Sequence, residues 1–259
     1  MSATFIRAIV RPPAGTFAEG QTTAQLGKPD PDLALRQHAR YCEALRQCGL
    51  ELNHLPANPA YPDSTFVEDP AVLTGHGAVL TRPGAPSRRG EVESIGKAIR
   101  PFFDDIVSIE TPGTLDGGDI CRAGTHFFIG QSVRTNASGG RQLASALDRW
   151  GYTSSFIDVP AGTGMLHLKS GLSNLGDHRL ACATELAGHA AFRDYDVIRV
   201  DPQETYGANL LRINEHVIMA AGHPKLEAKL RVLGYALIVV DMSEFRKMDG
   251  ALTCLSLRF

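Results

Sequence analysis

One repeated unit constrains this chain more than any other feature of its sequence. Each unit has a short motif on a strand, a tight turn, a second strand and usually a helix. One marker residue can be chosen from each of five motifs, and successive markers are 47, 51, 42 and 45 residues apart: Asp69, Asp116, His167, Asn209 and Cys254. Because a unit of this size cannot bury its own apolar face, the units are expected to pack on one another.

The fifth unit is divided between the two ends of the chain. Its motif strand covers residues 253–257, whereas residues 5–10 would form the strand beside it and residues 31–48 its helix. Pairing of the two ends would close a ring. The repeat therefore predicts an α/β fold in which residues 1–259 form one domain, a five-bladed α/β propeller of ββαβ repeats with pseudo-fivefold symmetry. From the repeat alone, an ordinary α/β sheet with hairpins stays open.

Helices are predicted at four places. The split unit has its helix at residues 31–48, with Asp30 as a suitable N-terminal cap. Two others cover residues 91–102 and 139–150, and a fourth begins at Pro224. In the fourth helix an apolar stripe at helical spacing should be buried, formed by Leu226, Leu230 and Leu233.

Composition argues against several classes of function. The formal net charge is −2, and Arg88-Arg89 is too short to be a nucleic-acid patch. No stretch approaches the roughly 18 uncharged apolar residues of a membrane span, and the N-terminus lacks the pattern of a secretory signal. Five scattered cysteines with no C-x-x-C pair disfavour disulfides and structural zinc. We therefore expect a cytoplasmic protein with free thiols, no metal, and no nucleic-acid or membrane partner.

Two reactive side chains lie at equivalent positions of the repeat. Strand alternation places Cys254 on the more polar face of its strand, and places His167 opposite Leu166 and Leu168. Taken singly, a strand cysteine or histidine is more often a packed or hydrogen-bonded core residue than a catalyst. A ring would bring both to one central cavity. Nucleophilic cysteine catalysis needs such a pair, because a neighbouring cation lowers the pKa of the thiol and supplies protons.

Acidic residues occupy the remaining motif positions, at Glu68, Asp69 and Asp116. An aspartate followed by glycine is also a common turn former. A cavity with three carboxylates and a thiolate would select a planar cation with several donors. A guanidinium group fits, since it offers N–H donors in a fixed fork. Arg88 and Arg134 would suit a substrate carboxylate if they are not solvated surface.

Five segments together resemble the dimethylarginine dimethylaminohydrolase family. They are FVED at 66–69, LDGGDI at 115–120, SVRTN at 132–136, LHLKS at 166–170 and MDGALTC at 248–254, with LGKPD at 26–30 as a further agreement. Their order and spacing match across nearly the whole chain. The resemblance implies a five-bladed α/β propeller. It also implies hydrolysis of monomethyl- or asymmetric dimethylarginine to L-citrulline and methylamine or dimethylamine, with no cofactor.

The resemblance implies three catalytic residues. Cys254 would attack the guanidinium carbon and form a covalent thiouronium. His167 would protonate the departing amine and then activate water, and Asp116 would orient the imidazole and contact the guanidinium. Seven further residues match substrate-binding positions of the family: Gln21, Asp63, Glu68, Asp69, Arg88, Arg134 and Met248.

These seven positions divide by the part of the substrate they would contact. Glu68 and Asp69 would hold the guanidinium and Asp63 the α-ammonium, while the two arginines would clamp the carboxylate. Gln21 and Met248 would contribute backbone contacts. The family often has an apolar lid residue at the position of Gln21, so this chain departs from the pattern there.

Other functions on the same fold stay open. Arginine deiminase and amidinotransferase belong to the same superfamily, but both are usually longer than a chain of 259 residues. A non-catalytic ribosome-binding protein shares the architecture, although it would have no reason to keep a cysteine, a histidine and acids at matched positions. A small-molecule substrate is the expected partner, and a homodimer is an open alternative to a monomer.

Overall fold

Fifteen short strands, arranged as five three-stranded sheets, make up the β structure of the described residues. A computed structural model describes residues 4–160, 162 and 164–259. The strands, β1 to β15 in chain order, are Arg7–Val10, Glu51–His54, Ala71–Leu73, Ala78–Leu80, Ile106–Ser108, Ile120–Ala123, His126–Gln131, Thr153–Asp158, Leu172–Gly176, Arg179–Cys182, Asp196–Arg199, Leu211–Ile213, His216–Ala220, Ala236–Val240 and Ser256–Arg258. The helices, α1 to α5, are Pro31–Gln47, Glu91–Ile99, Ala137–Arg149, Pro224–Val232 and Ser243–Arg246.

All five sheets share one topology. A first strand pairs antiparallel with a middle strand, and the middle strand pairs parallel with a third. Parallel pairing requires a crossover, which explains why helices or long loops precede the third strands. We number these sheets as blades: blade 1 is β15-β1-β2, blade 2 is β3 to β5, blade 3 is β6 to β8, blade 4 is β9 to β11 and blade 5 is β12 to β14. The predicted five-bladed α/β propeller is confirmed.

The two ends of the chain meet in blade 1. Strand β15 runs antiparallel to β1, with Ser256 opposite Val10 and Arg258 opposite Ala8. The split fifth unit is therefore confirmed, and it brings Cys254 into the same ring as the other four motifs. Among the described helices, none combines the length and the apolar character that crossing a membrane requires.

The four predicted helices, α1 to α4, begin and end close to their predicted bounds, whereas the short helix α5 was not predicted. Asp30 caps α1 by accepting hydrogen bonds from the backbone N–H groups of Asp32 and Leu33. In α4, Leu226 and Leu230 are buried, but Leu233 is 43% exposed. The prediction for Leu233 was wrong because the helix ends at Val232 and the chain turns away from the core there.

The reactive motif residues Cys254 and His167 lie just before strands and not within them, which differs from the sequence prediction. Cys254 lies in a single 3-10 turn, Thr253–Leu255, and His167 immediately precedes another, Leu168–Ser170. The strands themselves start only at Ser256 and Leu172. Strand alternation therefore does not set the direction of these two side chains, because no ladder hydrogen bonds hold the backbone in a pleat at those positions.

Candidate active site

The motif turns meet at one narrow pocket. Its lining is Gln21, Asp63, Phe66, Asp69, Arg88, Arg134, Leu166, His167, Met248, Asp249, Gly250 and Cys254. Eight of these are site residues predicted from the sequence, and the other two predicted residues, Glu68 and Asp116, lie behind the lining. A wider groove of about 580 Å³ opens between β11 and α4, but it is lined by apolar side chains and two cations, with no nucleophile or acid.

His167 is held by an acidic residue of the neighbouring blade. Its Nε2 lies 3.0 Å from Oδ2 of Asp116, whose Oδ1 accepts a hydrogen bond from the backbone N–H of Gly84. Burial lowers the pKa of His167, but the charge of Asp69, the hydrogen bond to Asp116 and the charge of Asp119 outweigh burial and raise it to about 9. The imidazole is therefore cationic at neutral pH and can donate a proton.

The imidazole of His167 packs directly over the backbone of Gly118. A Cβ atom at Gly118 would lie 2.7 Å from Nδ1 of His167 and 2.9 Å from Oδ1 of Asp69. Any larger residue would displace the ring. Close packing therefore explains why glycine is needed in the LDGGDI segment. From the sequence alone, turn formation explains the glycine pair equally well.

Cys254 is the only cysteine of the chain that lines this pocket. It is partly exposed, whereas Cys42, Cys48, Cys121 and Cys182 are buried elsewhere in the core. Burial first, and then the charges of nearby carboxylates, raise the pKa of Cys254 to about 12. The thiol is therefore protonated in the free site at neutral pH. A cation bound in the pocket would offset those carboxylates and favour the thiolate.

Glu68 is not among the residues that line the pocket, and the guanidinium contact that the resemblance implied stays a prediction. Its Oε1 forms ion pairs with Lys169 at 2.6 Å and Arg258 at 2.8 Å. Its backbone N–H donates a hydrogen bond to the carbonyl oxygen of Cys254 at 3.2 Å. Glu68 thus supports the turn that carries the thiol from behind.

The two arginines of the expected carboxylate clamp differ in environment. Arg88 is 6% exposed and forms buried ion pairs with Asp69 and Glu91. Arg134 is only partly buried, and its Nη2 donates a hydrogen bond to Oε1 of Gln21 at 3.2 Å. Arg134 therefore has donors free to turn toward a ligand, whereas the charge of Arg88 is already balanced by carboxylates.

Asp69 contacts both Arg88 and the backbone turn beneath His167. Its Oδ2 pairs with Arg88, and its Oδ1 accepts a hydrogen bond from the backbone N–H of Gly118 at 2.9 Å. Burial raises the pKa of Asp69, but the charges of Arg88 and His167 outweigh burial and lower it to about 2. Asp69 is consequently a permanent anion beside the imidazole.

The segment that carries Gln21 covers the pocket. The backbone N–H of Gln21 donates to Oδ2 of Asp63 at 3.1 Å, and its side chain donates to Oγ of Ser87 at 2.9 Å. The other carboxylate oxygen of Asp63 is buried and has no hydrogen-bond partner within the described ranges. That oxygen is an acceptor available to a cationic group. Met248 and Phe66 add apolar surface to the same pocket.

Among the described residues, one group of side chains could hold a metal ion. Ligand atoms of Asp69, Asp116 and His167 lie within 4.8 Å of one another. An ion at this position would have to displace the Asp116–His167 hydrogen bond and compete with the Arg88 guanidinium for Asp69. The charges present already satisfy the three ligands, so this cluster suits proton transfer better than metal binding.

Four lining residues were not predicted from the sequence: Phe66, Leu166, Asp249 and Gly250. Each belongs to or adjoins a motif segment that was identified. Membership of a motif segment was the available signal, but the resemblance implied no role for these four positions.

Comparisons with known proteins agree with this geometry. No family model matches the chain. It is 44% identical over 256 residues to the N(G),N(G)-dimethylarginine dimethylaminohydrolase of Pseudomonas aeruginosa, covering 98% of this chain and 100% of the relative. The enzyme of the same name from Streptomyces coelicolor is 36% identical over 257 residues, covering 97% and 96%. A crystal structure of a mutant of the Pseudomonas enzyme, complexed with citrulline, superposes with a TM-score of 0.96 at 43% identity, covering 99% and 100% of the two chains.

The sequence matches extend over almost the whole of both chains. The motif segments meet at the pocket of this fold. The chain belongs to the dimethylarginine dimethylaminohydrolase family.

Proposed function

We propose that this protein hydrolyses Nω-methylated L-arginine to L-citrulline and a methylamine through a covalent intermediate on Cys254. The observation that carries the proposal is a single pocket that contains the thiol of Cys254 and a cationic His167 held by Asp116. The names of the relatives, and the citrulline complex of one of them, support the same reaction and product.

The chemistry follows from the charges in the pocket. A guanidinium that binds beside Asp69 brings a positive charge close to Cys254 and lowers the pKa of its thiol, so the thiol gives its proton to water. The thiolate sulfur bonds to the guanidinium carbon. The His167 imidazolium then gives its proton to the departing amine nitrogen as the C–N bond breaks, and a thiouronium remains on the sulfur.

The second half of the reaction reverses the role of the histidine. Neutral His167 takes a proton from water, and the resulting hydroxide attacks the thiouronium carbon. The C–S bond breaks and the hydroxyl proton of the adduct passes to the departing sulfur, which restores the thiol and leaves the urea group of citrulline. In both halves Asp116 holds the imidazole in one orientation and favours its cationic form.

Recognition of the amino-acid end would rest on two groups beneath the Gln21 segment. The unpartnered oxygen of Asp63 suits the α-ammonium, and the partly exposed guanidinium of Arg134 suits the α-carboxylate. The pocket volume is only about 30 Å³, whereas pockets that bury small ligands usually measure about 300–1,000 Å³. A movement of the Gln21 segment, which contacts Asp63, Ser87 and Arg134 through single hydrogen bonds, would widen the pocket for substrate.

Substrate choice tests the proposal. We expect release of citrulline from monomethyl- and asymmetric dimethylarginine, with kcat/KM for arginine at least tenfold lower, about 1.4 kcal/mol. Symmetric dimethylarginine should be nearly inert, because its second methylated nitrogen would meet the carboxylate of Asp69. The measurement is citrulline and amine release across the four substrates. Efficient turnover of arginine would favour a deiminase instead, and no turnover of any of them would favour a binding protein.

The contrast between the two arginines gives a second prediction. Arg134→Ala should remove roughly 2–4 kcal/mol of transition-state stabilisation, measured from the fall in kcat/KM. The fall should come mainly through KM, because the variant lacks a charge-assisted contact to the substrate carboxylate. Arg88→Ala should lower the free energy of unfolding by about 3–5 kcal/mol, because it leaves the buried carboxylates of Asp69 and Glu91 without their partner.

The control for this pair is a methylguanidine that lacks the amino-acid end. Wild type and Arg134→Ala should process it equally. If Arg134→Ala is as impaired on this truncated substrate as on the full one, Arg134 does not bind the carboxylate. Thermal unfolding of both variants separates lost binding from lost stability.

Several other inferences stay predictions from the sequence. They are the cytoplasmic location, the homodimer, the absence of a nucleic-acid partner and of a cofactor, and the folding of residues 1–259 as one domain. None of them enters the mechanism above.

A further inference from the structure

Hydrogen bonds at the level of the motifs connect each blade to the next. Blade 1 joins blade 2 through Glu68 N–H and Cys254 O, blade 2 joins blade 3 through Asp69 Oδ1 and Gly118 N–H, and blade 3 joins blade 4 through Asp116 and His167. The two remaining junctions, from blade 4 to blade 5 and from blade 5 to blade 1, share one side chain. That side chain is Asn209, the one marker residue to which no role in the reaction is assigned.

Asn209 makes three hydrogen bonds in two directions. Its Nδ2 donates to the carbonyl oxygen of Lys169 at 2.8 Å and to Oγ1 of Thr253 at 3.0 Å. Its Oδ1 accepts from the backbone N–H of Thr253 at 3.0 Å. Lys169 is two residues from His167, and Thr253 is adjacent to Cys254. Asn209 is 3% exposed and does not line the pocket, so it does not contact substrate there.

We infer that Asn209 is a positioning residue that fixes the turn of Cys254 relative to the turn of His167. The thiol and the imidazole lie on blades 1 and 4, and blade 5 separates these blades in the ring. Within the described ranges, the carboxamide of Asn209 connects the two turns through blade 5. Glu68 of blade 2 connects them from the other side, through its ion pair with Lys169 and its hydrogen bond to the carbonyl oxygen of Cys254. This inference rests on the proposed function, because it concerns the geometry of the same cysteine–histidine pair.

The effect should appear in the chemical step. A shift of about 1 Å caused by a residue remote from the chemistry can cost on the order of 10²-fold in rate. Loss of the carboxamide also leaves the buried N–H of Thr253 without its acceptor, which favours a rearranged turn. Asp63, Asp69 and Arg134 lie on other segments, so the affinity for substrate should change little.

The chain offers a matched control at Ser173. Its Oγ donates to the carbonyl oxygen of Ala208 at 2.7 Å and accepts from the backbone N–H of Leu210 at 2.8 Å. Ser173 is as buried as Asn209 and joins blade 4 to blade 5 through the backbone of the two residues that flank Asn209. None of its side-chain hydrogen bonds reaches Thr253. Ser173→Ala therefore removes buried hydrogen bonds from the same junction without freeing the Cys254 turn.

The experiment compares Asn209→Ala with Ser173→Ala by Tm, kcat and KM for asymmetric dimethylarginine. Asn209→Ala should lower kcat by roughly 10- to 100-fold with KM within about threefold. Ser173→Ala should lower Tm to a similar extent and keep kcat within about threefold. Equal losses of kcat in the two variants, or no loss in either, would overturn the inference.

Two variants of Thr253 test the same hydrogen bond in case Asn209→Ala does not fold. Thr253→Val keeps the size of the side chain and the backbone N–H to Asn209, but it removes the hydroxyl that Nδ2 binds. We expect a smaller fall of kcat than in Asn209→Ala. Thr253→Ser, which retains the hydroxyl, should lose less than Thr253→Val. The opposite order would contradict a positioning role for the carboxamide.

A final readout does not depend on the proposed function. The rate at which iodoacetamide alkylates Cys254, followed by peptide mapping across pH, reports the surroundings of the thiol. The pH at which this alkylation rate is half-maximal should shift in Asn209→Ala and stay at the wild-type value in Ser173→Ala. If wild type releases no citrulline from any substrate, the proposed function fails, whereas an unshifted midpoint in Asn209→Ala would reject the positioning role by itself.

Discussion

Replacing Cys254 by serine should abolish turnover while leaving the fold intact. The loss should be on the order of 10⁴- to 10⁶-fold in kcat, as for removal of a catalytic nucleophile. A hydroxyl has a far higher pKa than a thiol, and a bound guanidinium cannot lower it enough to form the nucleophile. Because sulfur and oxygen differ little in size, the Tm of Cys254→Ser should be close to that of wild type. Citrulline release and thermal unfolding measure the two effects.

The intermediate itself can be located on the chain. Acid quenching of wild type during turnover should trap an adduct on the peptide that contains Cys254. The other four cysteines provide an internal control, because they are buried outside the pocket, where a bound guanidinium cannot offset the burial that raises their pKa values to about 11 or 12. An adduct on any of them would contradict the assignment of the nucleophile.

Replacing His167 by glycine should lower kcat by on the order of 10²- to 10⁴-fold, because the general acid and base is lost. With a substrate that has a good leaving group, the thiouronium should still form and then accumulate, since no group activates water. Rapid-quench mass spectrometry of the peptide containing Cys254 would show the accumulated adduct. If the variant hydrolyses the intermediate at the wild-type rate, His167 has only a structural role.

The raised pKa of His167 has a consequence for stability. Its pKa is about 9 in the folded protein against about 6.5 when unfolded, so the folded state binds the proton more tightly. The associated stabilisation is complete below about pH 6.5 and is lost as pH rises through about 9, at up to about 1.4 kcal/mol per pH unit. Denaturant unfolding between these pH values should show this decline in wild type and a weaker one in His167→Gly.

The sequence by itself determined the number of blades and the way the ring closes. Five motifs recur at similar intervals, and the unit at Cys254 lacks a helix that residues 31–48 supply. Local rules were sufficient for the helices, since Asp30 caps α1 through its own neighbours. The repeat also indicated one shared cavity for Asp69, His167 and Cys254, because equivalent positions of a closed repeat face the same centre. The family resemblance supplied the other predicted lining residues: Gln21, Asp63, Arg88, Arg134 and Met248.

The tertiary structure alone decided which charged groups of the site are free. Glu68 pairs with Arg258, which is 190 residues away, and Arg88 pairs with Asp69. Sequence patterns identify residue types at motif positions, but they do not show which buried charges neutralise one another across blades. The link through Asn209 was hidden for the same reason, because its two partners lie on different blades. Periodicity determines the positions of the motifs, whereas the partner of each buried polar atom depends on packing between segments remote in sequence.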